Sequence, residues 1–151
     1  MTTNVLDLLK KDHDRVRGLL KELMATGKQT DTERPELLAT IETELKLHTT
    51  VEHEIFYPAF NAANGDKNKK MVFEAEEEHR AIEKLILPDV KKTNAADDAY
   101  AGRAKVLKEL IEHHAKEEED EMFPRARETL SEDDLVALGE KVQKMKKELK
   151  A

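Results

Sequence analysis

Histidine and glutamate recur in this chain in two copies that lie 66 residues apart. Each copy has a lone histidine, then a histidine with a glutamate four residues later, then a proline; the copies are His13, His48, Glu52 and Pro58, and His79, His114, Glu118 and Pro124. Imidazoles and carboxylates together are ligands that proteins offer to iron, manganese and zinc. The doubled pattern therefore predicts a metal site shared between two similar halves of the chain.

Helical spacing places these side chains on faces that should point into a protein core. Apolar residues flank each histidine at intervals of one and two helical turns; for His13 they are Leu6, Leu9, Val16 and Leu20. Glu52 and Glu118 follow their histidines by one turn and project from the same faces. A carboxylate that is ionised in a core is costly unless it is paired or binds a metal. The predicted metal ligands are therefore His13, His48, Glu52, His79, His114 and Glu118.

The ligand types narrow the choice of metal. Six ligands suit two ions with two histidines each, bridged by Glu52 and Glu118, and leave open positions for water, O2 or peroxide. The chain has no cysteine, which excludes thiolate zinc sites and disulfides. We expect two iron ions, with manganese or zinc as the less favoured metals.

Other candidate residues carry weaker signals. His113 has charged neighbours and is expected at the surface, whereas His53 and Tyr57 could contribute to the site from behind its ligands. Glu83, one turn after His79, could fill a vacant metal position. Glu76 and His79 have the Glu-x-x-His spacing of ferritin-like di-iron proteins, but the position related to Glu76 by the repeat is Lys10, so we treat that spacing as accidental.

The elements that must position these residues are helices. Apolar residues recur at helical spacing over nearly the whole chain, while glycine and proline are scarce. We predict an all-α fold: an up-down-up-down four-helix bundle, formed by an internal two-fold repeat of helical hairpins, with a short fifth helix at the C-terminus. The first helix should run from about Val5 to Ala25 and the third from about Asn68 to Leu87, with Pro88 ending or kinking it. We expect Phe73 in the core.

Length and charge limit the function. A chain of 151 residues suits one domain (1–151), with repeat halves at about 1–64 and 67–130 and the last helix at about 132–149. The net charge of −7 argues against nucleic acid as a partner, and no apolar run could span a membrane. Because the sequence shows no recognisable signal peptide, we expect the protein in the cytoplasm. We expect it to be a monomer or a homodimer.

The two segments HTTVEHEIFYP and HAKEEEDEMFP make the chain resemble the hemerythrin-like HHE cation-binding domains. The resemblance covers nearly the whole chain from His13 to Pro124. It implies a four-helix bundle around a non-haem di-iron centre with an oxo or hydroxo bridge, in which the four histidines are terminal ligands and the two glutamates are bridges. Oxygen-carrying hemerythrins have a further histidine one turn from the His79 position, where this chain has Ala75 and Glu83.

That departure favours small-molecule redox chemistry over reversible oxygen carriage. The expected function is a di-iron protein that reacts with peroxide or O2, with catalase- or peroxidase-like or stress-protective activity; whether it turns over as an enzyme is left open, and no catalytic residue is assigned. The alternative is a protein that binds or senses O2, NO or iron without catalysis. In both readings the partners are small oxidants or gases: H2O2, O2 or NO.

Overall fold

The computed structural model of the protein describes residues 3–27 and 32–150, and these are almost entirely helical. The α-helices are α1 (Val5–Ala25), α2 (Glu33–Val51), α3 (Tyr57–Asn64), α4 (Asp66–Ala81), α5 (Leu87–Lys92), α6 (Asp98–Glu117), α7 (Phe123–Thr129) and α8 (Glu132–Lys150). Three π-helical turns join them: π1 (Glu52–Phe56) between α2 and α3, π2 (Ile82–Ile86) between α4 and α5, and π3 (Glu118–Met122) between α6 and α7. The described residues thus form four long helices and a shorter fifth one, as the sequence predicts.

Contacts at the two ends of the molecule show that the long helices alternate in direction. At one end the guanidinium of Arg34, in the first turn of α2, donates hydrogen bonds to the backbone oxygens of Thr26 and Ala95. These residues follow α1 and precede α6. At the opposite end Asn4, which caps α1, donates to Glu132 at the start of α8. The predicted up-down-up-down bundle is therefore confirmed.

A proline follows each π-helical turn and explains why the turn forms. Pro58, Pro88 and Pro124 are the second residues of α3, α5 and α7. Proline has no N–H and cannot continue the α-helical hydrogen bonding, so the preceding turn accommodates one more residue. Of the two outcomes predicted for Pro88, an end of the third helix near Leu87 is wrong, because that helix continues through π2 to Lys92.

Two apolar clusters fill the bundle on either side of a central polar layer. One cluster contains Leu6, Leu9, Phe56 and Phe123, and the other contains Val16, Leu20, Ile41 and Leu107, among further buried residues. The four predicted histidines lie between these clusters along the helices. The prediction that Phe73 lies in the core is wrong, because its side chain is 65% exposed on the outer face of α4.

The helix α8 closes one side of the bundle. Leu135, Leu138 and Val142 are buried in the cluster that contains Leu6. Gly139 allows the close approach of α8 to the N-terminal segment, because a Cβ atom there would lie 2.2 Å from the backbone oxygen of Thr3. Within residues 3–27 and 32–150, no helix has the length and apolar character that crossing a bilayer requires.

Candidate metal centre

The six predicted ligands meet in one buried layer at the middle of the bundle. Each is at most 5% exposed, and Glu52 is fully buried; the six are His13, His48, Glu52, His79, His114 and Glu118. α1, α2, α4 and α6 supply one histidine each. π1 and π3 each begin at one of the glutamates, so the extra residue of each turn comes directly after a carboxylate that faces the core. Such π-helical turns occur often at functional sites.

The six side chains form two overlapping groups of four. His13 and His48 belong to one group, His79 and His114 belong to the other, and both groups share Glu52 and Glu118. In each group the potential ligand atoms lie within 4.8 Å of one another. The distance from His48 Nε2 to Glu52 Oε1 is 3.1 Å, and that from His13 Nε2 to Glu118 Oε1 is 3.0 Å. Two ions with two histidines each and two shared carboxylates would use this arrangement fully.

Buried polar atoms without hydrogen bonds show that the layer fits metal ions. His48 Nε2 and both carboxylate oxygens of Glu52 have no hydrogen-bond partner of acceptable geometry. Leaving such groups unpaired in a core is costly, and the great majority of buried polar groups are paired. Imidazole nitrogens and carboxylate oxygens that converge without hydrogen bonding are the donor set of an iron, manganese or zinc site.

Each histidine turns Nε2 towards the layer and holds its outer nitrogen, Nδ1, against a second side chain. The Nδ1 contacts are His13 with Glu119 (2.7 Å), His48 with Asp12 (2.9 Å), His79 with His53 (2.9 Å) and His114 with Glu78 (2.8 Å). A carboxylate that accepts the Nδ1 proton fixes the orientation and tautomer of a ligating imidazole and makes it a stronger ligand. Three of the four imidazoles have this support.

These outer contacts obey the same 66-residue repeat as the inner ones, with two exceptions. Asp12 corresponds to Glu78, but Glu119 corresponds to His53. Phe123 corresponds to Tyr57 in the repeat. The ring of Phe123 stacks on His13 and that of Tyr57 on His79, with ring centroids 5.9 and 5.8 Å apart. The hydroxyl of Tyr57 also donates a 2.6 Å hydrogen bond to Glu118. Because phenylalanine lacks a hydroxyl, Glu52 receives no equivalent hydrogen bond. The two halves of the site are therefore chemically different.

Protons neutralise the carboxylates when no metal is present. Burial alone would lower the pKa of His48, but the charges of Glu52 and Asp12 raise it to about 10. For His114, the effect of Glu118 likewise outweighs burial and raises the pKa well above its ordinary value. Burial would raise the pKa of Glu52, yet the His48 charge holds it well below the ordinary value. At neutral pH the metal-free layer therefore contains imidazolium groups opposite ionised glutamates.

The structure also locates the weaker candidates. Glu83 accepts a 2.6 Å hydrogen bond from Thr49 and, among the described residues, is not in either group of four. Glu76 is likewise outside both groups. His113 is 58% exposed, as predicted, and His53 contacts His79 from the solvent side. Tyr57 is buried beside Glu118.

Sequence reasoning missed the carboxylates that support the histidines from outside. Asp12 and Glu78 precede His13 and His79 directly and are themselves separated by 66 residues, so the repeat could have indicated them. Glu119 lies within a run of acidic residues, and it contacts both His13 and Arg17. No spacing rule separates it from its neighbours, because π3 changes which residues of that run face inward.

Comparison with known proteins supports the same interpretation. A solved structure of a hemerythrin HHE cation-binding domain-containing protein, the Rv2633c homolog from Mycobacterium kansasii, matches with a TM-score of 0.84 and 28% identity, over 97% of this chain and 86% of that one. The uncharacterized protein Rv2633c of Mycobacterium tuberculosis is 27% identical over 140 residues, which is 92% of this chain and 83% of the relative.

A relative from Nostoc, named DNA nickase, is 23% identical over 128 residues; the match includes 85% of this chain but only 35% of the relative. The family model of the hemerythrin HHE cation-binding domain matches residues 4–126. With that match and the buried histidine and glutamate layer, the chain belongs to the hemerythrin HHE cation-binding domain family.

Proposed function

We propose that this metal-binding domain holds two iron ions, bridged by Glu52 and Glu118, and reacts there with peroxide or O2. The observation that supports this most is the pair of two-histidine groups that share both carboxylates. The four histidines would be terminal ligands. When bound, a pair of iron ions would supply the two electrons that reduction of a peroxide requires.

A small cavity beside the layer suits a small oxidant. All four histidines line it, together with apolar side chains that include Val16, Leu45, Ile82 and Ile111. Its volume of about 20 Å³ admits one molecule the size of water. Peroxide, O2 and NO are small enough for such a space with modest side-chain movement, whereas organic substrates are excluded by size.

Tyr57 supplies a neutral hydrogen-bond donor on the side of the layer away from this cavity. Burial, together with the charges of Glu118 and Glu52, raises the pKa of its phenol well above the ordinary value. The hydroxyl therefore keeps its proton and donates it in a hydrogen bond to Glu118 Oε2 at 2.6 Å. In this position the phenol orients the Glu118 carboxylate and keeps a proton at its Oε2.

Metal analysis followed by a turnover assay tests the proposal. Protein loaded anaerobically with Fe(II) and then exposed to air should contain about two irons per chain and absorb between ~320 and ~400 nm. Added peroxide should then be consumed over many turnovers. Full loading with reversible O2 or NO binding and no turnover would favour the alternative, a carrier or sensor. One tightly held zinc per chain would overturn the di-iron assignment.

Metal affinity should rise steeply with pH, because metals displace protons from the layer. His48 has a pKa of about 10 in the metal-free protein, so an ion that binds its Nε2 at pH 7 must release that proton. Apparent affinity should increase about tenfold per pH unit for each proton displaced. Proton release on cobalt binding in weakly buffered solution, followed with a pH indicator, checks this; a pH-independent affinity would contradict it.

The pH dependence of folding should have the opposite sign in the metal-free protein. A folded-state pKa above the ordinary value of 6.5 contributes stability that is complete below pH 6.5 and is lost as the pH rises through about 10. The difference in unfolding temperature between the metal-loaded and the metal-free protein should therefore widen as the pH rises from 6.5 to about 10.

The nickase activity in the name of the Nostoc relative is not part of this proposal. The chain spans about a third of that relative, and its own net charge is −7. A negatively charged surface disfavours association with the phosphate backbone.

A further inference from the structure

A second group of metal-type ligands lies on the outer face of the bundle. Glu78 on α4 and His113 and Glu117 on α6 have ligand atoms within 4.8 Å of one another. His113 Nε2 is 3.3 Å from Glu78 Oε2 and 3.1 Å from Glu117 Oε1. The side chain of Glu78 is 12% exposed, that of His113 is 58% exposed and that of Glu117 is 33% exposed. A hydrated cation can therefore reach them from solvent.

The repeat shows that this group is not required for packing. The positions related to His113 and Glu117 by 66 residues are Leu47 and Val51, both apolar. There α8 packs against the bundle, and Lys146 on that helix forms a salt bridge with Asp12, the counterpart of Glu78. The first half of the molecule therefore covers this face with a helix, whereas the second half leaves three metal-type ligands open to solvent.

Glu78 links the outer group to the inner layer. Its Oε2 faces His113, while its Oε1 accepts a 2.8 Å hydrogen bond from Nδ1 of the buried His114. A narrow cleft of about 20 Å³, with room for one water-sized molecule or ion, begins at this point. Glu74, Glu78, Glu117 and Glu121 line it, and the buried Glu118 lies at its inner end.

We propose that Glu78, His113 and Glu117 form an outer site that captures a divalent transition-metal ion, Fe(II) in particular, and passes it along the acidic cleft to Glu118. This inference rests on the proposed metal centre, since Glu118 is one of its bridges. Imidazole with carboxylates suits these ions, and a cleft lined by one sign of charge raises the local concentration of the opposite ion. No electron transfer is needed in this step: the ion exchanges water for protein ligands and keeps its charge.

Cobalt uptake by the full-length metal-free protein tests the outer site. The variant His113→Leu/Glu117→Val installs the residues that the other half of the repeat uses, so it should fold; His113→Gln/Glu117→Gln is a second variant that adds no apolar surface. Both should bind Co(II) about tenfold more slowly than the parent at low ionic strength. Both variants should finally bind as much cobalt in the inner layer as the parent does, and both should lack the one weakly bound cobalt ion of the outer site. Stopped-flow visible absorption gives the rate, and elemental analysis gives the content.

Glu140→Gln is the matched control, because Glu140 is an exposed carboxylate on α8, which packs against the other half of the repeat; its uptake rate should match the parent's. Equal uptake rates in the parent and both double variants, with a full inner layer, would overturn the outer site alone. A parent protein whose inner layer takes up no cobalt would instead overturn the metal centre and, with it, the entry role.

Discussion

A Glu52→Gln variant should fold and yet lose the metal. The Glu52 carboxylate is fully buried, belongs to both groups of ligands and has no hydrogen-bond donor. A neutral amide has nearly the same shape but is a much weaker ligand for transition metals. We therefore expect metal content below about a tenth of the parent's after equilibrium loading and chelator treatment.

The same substitution should lower the free energy of unfolding modestly in the metal-free protein and by a larger amount when metal is present. In the metal-free protein, His48 keeps its contact with Asp12 at 2.9 Å when Glu52 becomes neutral, so we expect a loss of at most ~3 kcal/mol. The parent should gain ~4 kcal/mol from metal at a thousandfold excess over Kd, and the variant should gain almost nothing.

Urea unfolding followed by circular dichroism, with and without Co(II), measures both quantities. Glu54→Gln is the matched control, because Glu54 is an exposed carboxylate in the same π-helical turn. It should retain metal and the gain in stability. Full metal content in Glu52→Gln would show that Glu52 is not a bridge.

The inner ligands could be predicted because a repeat and a helical period are both local properties of a sequence. His48 and Glu52 share a helix face whatever the helix packs against, and His114 and Glu118 repeat the pattern. The two shared groups of four follow once the halves meet. For this reason the structure brings together all six predicted side chains.

What could not be predicted depends on contacts between distant elements. Glu78 can be reached from solvent because α8 covers the other half of the bundle, and no local pattern in the sequence specifies which half α8 covers. The exposure of Phe73 has the same origin: helical periodicity places it near the edge of an apolar stripe, and only the neighbouring helices decide on which side it lies. The turns π1 and π3 are an intermediate case, since a proline preceded by a glutamate six residues earlier, as in Glu52 and Pro58, could have indicated them; π2 begins at Ile82 and lacks that signal.

The two metal positions should differ in affinity, and giving both halves the same residue behind the histidine of α1 or α4 should remove that difference. His13 is supported at Nδ1 by the carboxylate of Glu119, whereas His79 is supported by the neutral imidazole of His53. A carboxylate partner makes the ligating imidazole more basic, and removing such a partner commonly costs ten- to a hundredfold in affinity (roughly, in other metal sites). The first ion should therefore bind beside His13 and the second, more weakly, beside His79.

His53→Glu restores the repeat and should strengthen the weaker position about tenfold, so that two separate binding phases merge into one. Glu119→His should weaken the stronger position by a similar factor. Competition between the protein and a cobalt chelator measures both, and Glu54→Gln is the control, because it changes an exposed residue of the same π-helical turn as His53 without touching an inner ligand. If His53→Glu left the second phase unchanged, the support of the imidazoles from outside would not be what distinguishes the two halves. Their difference would then have to come from the other break in the repeat, the hydroxyl of Tyr57 on Glu118.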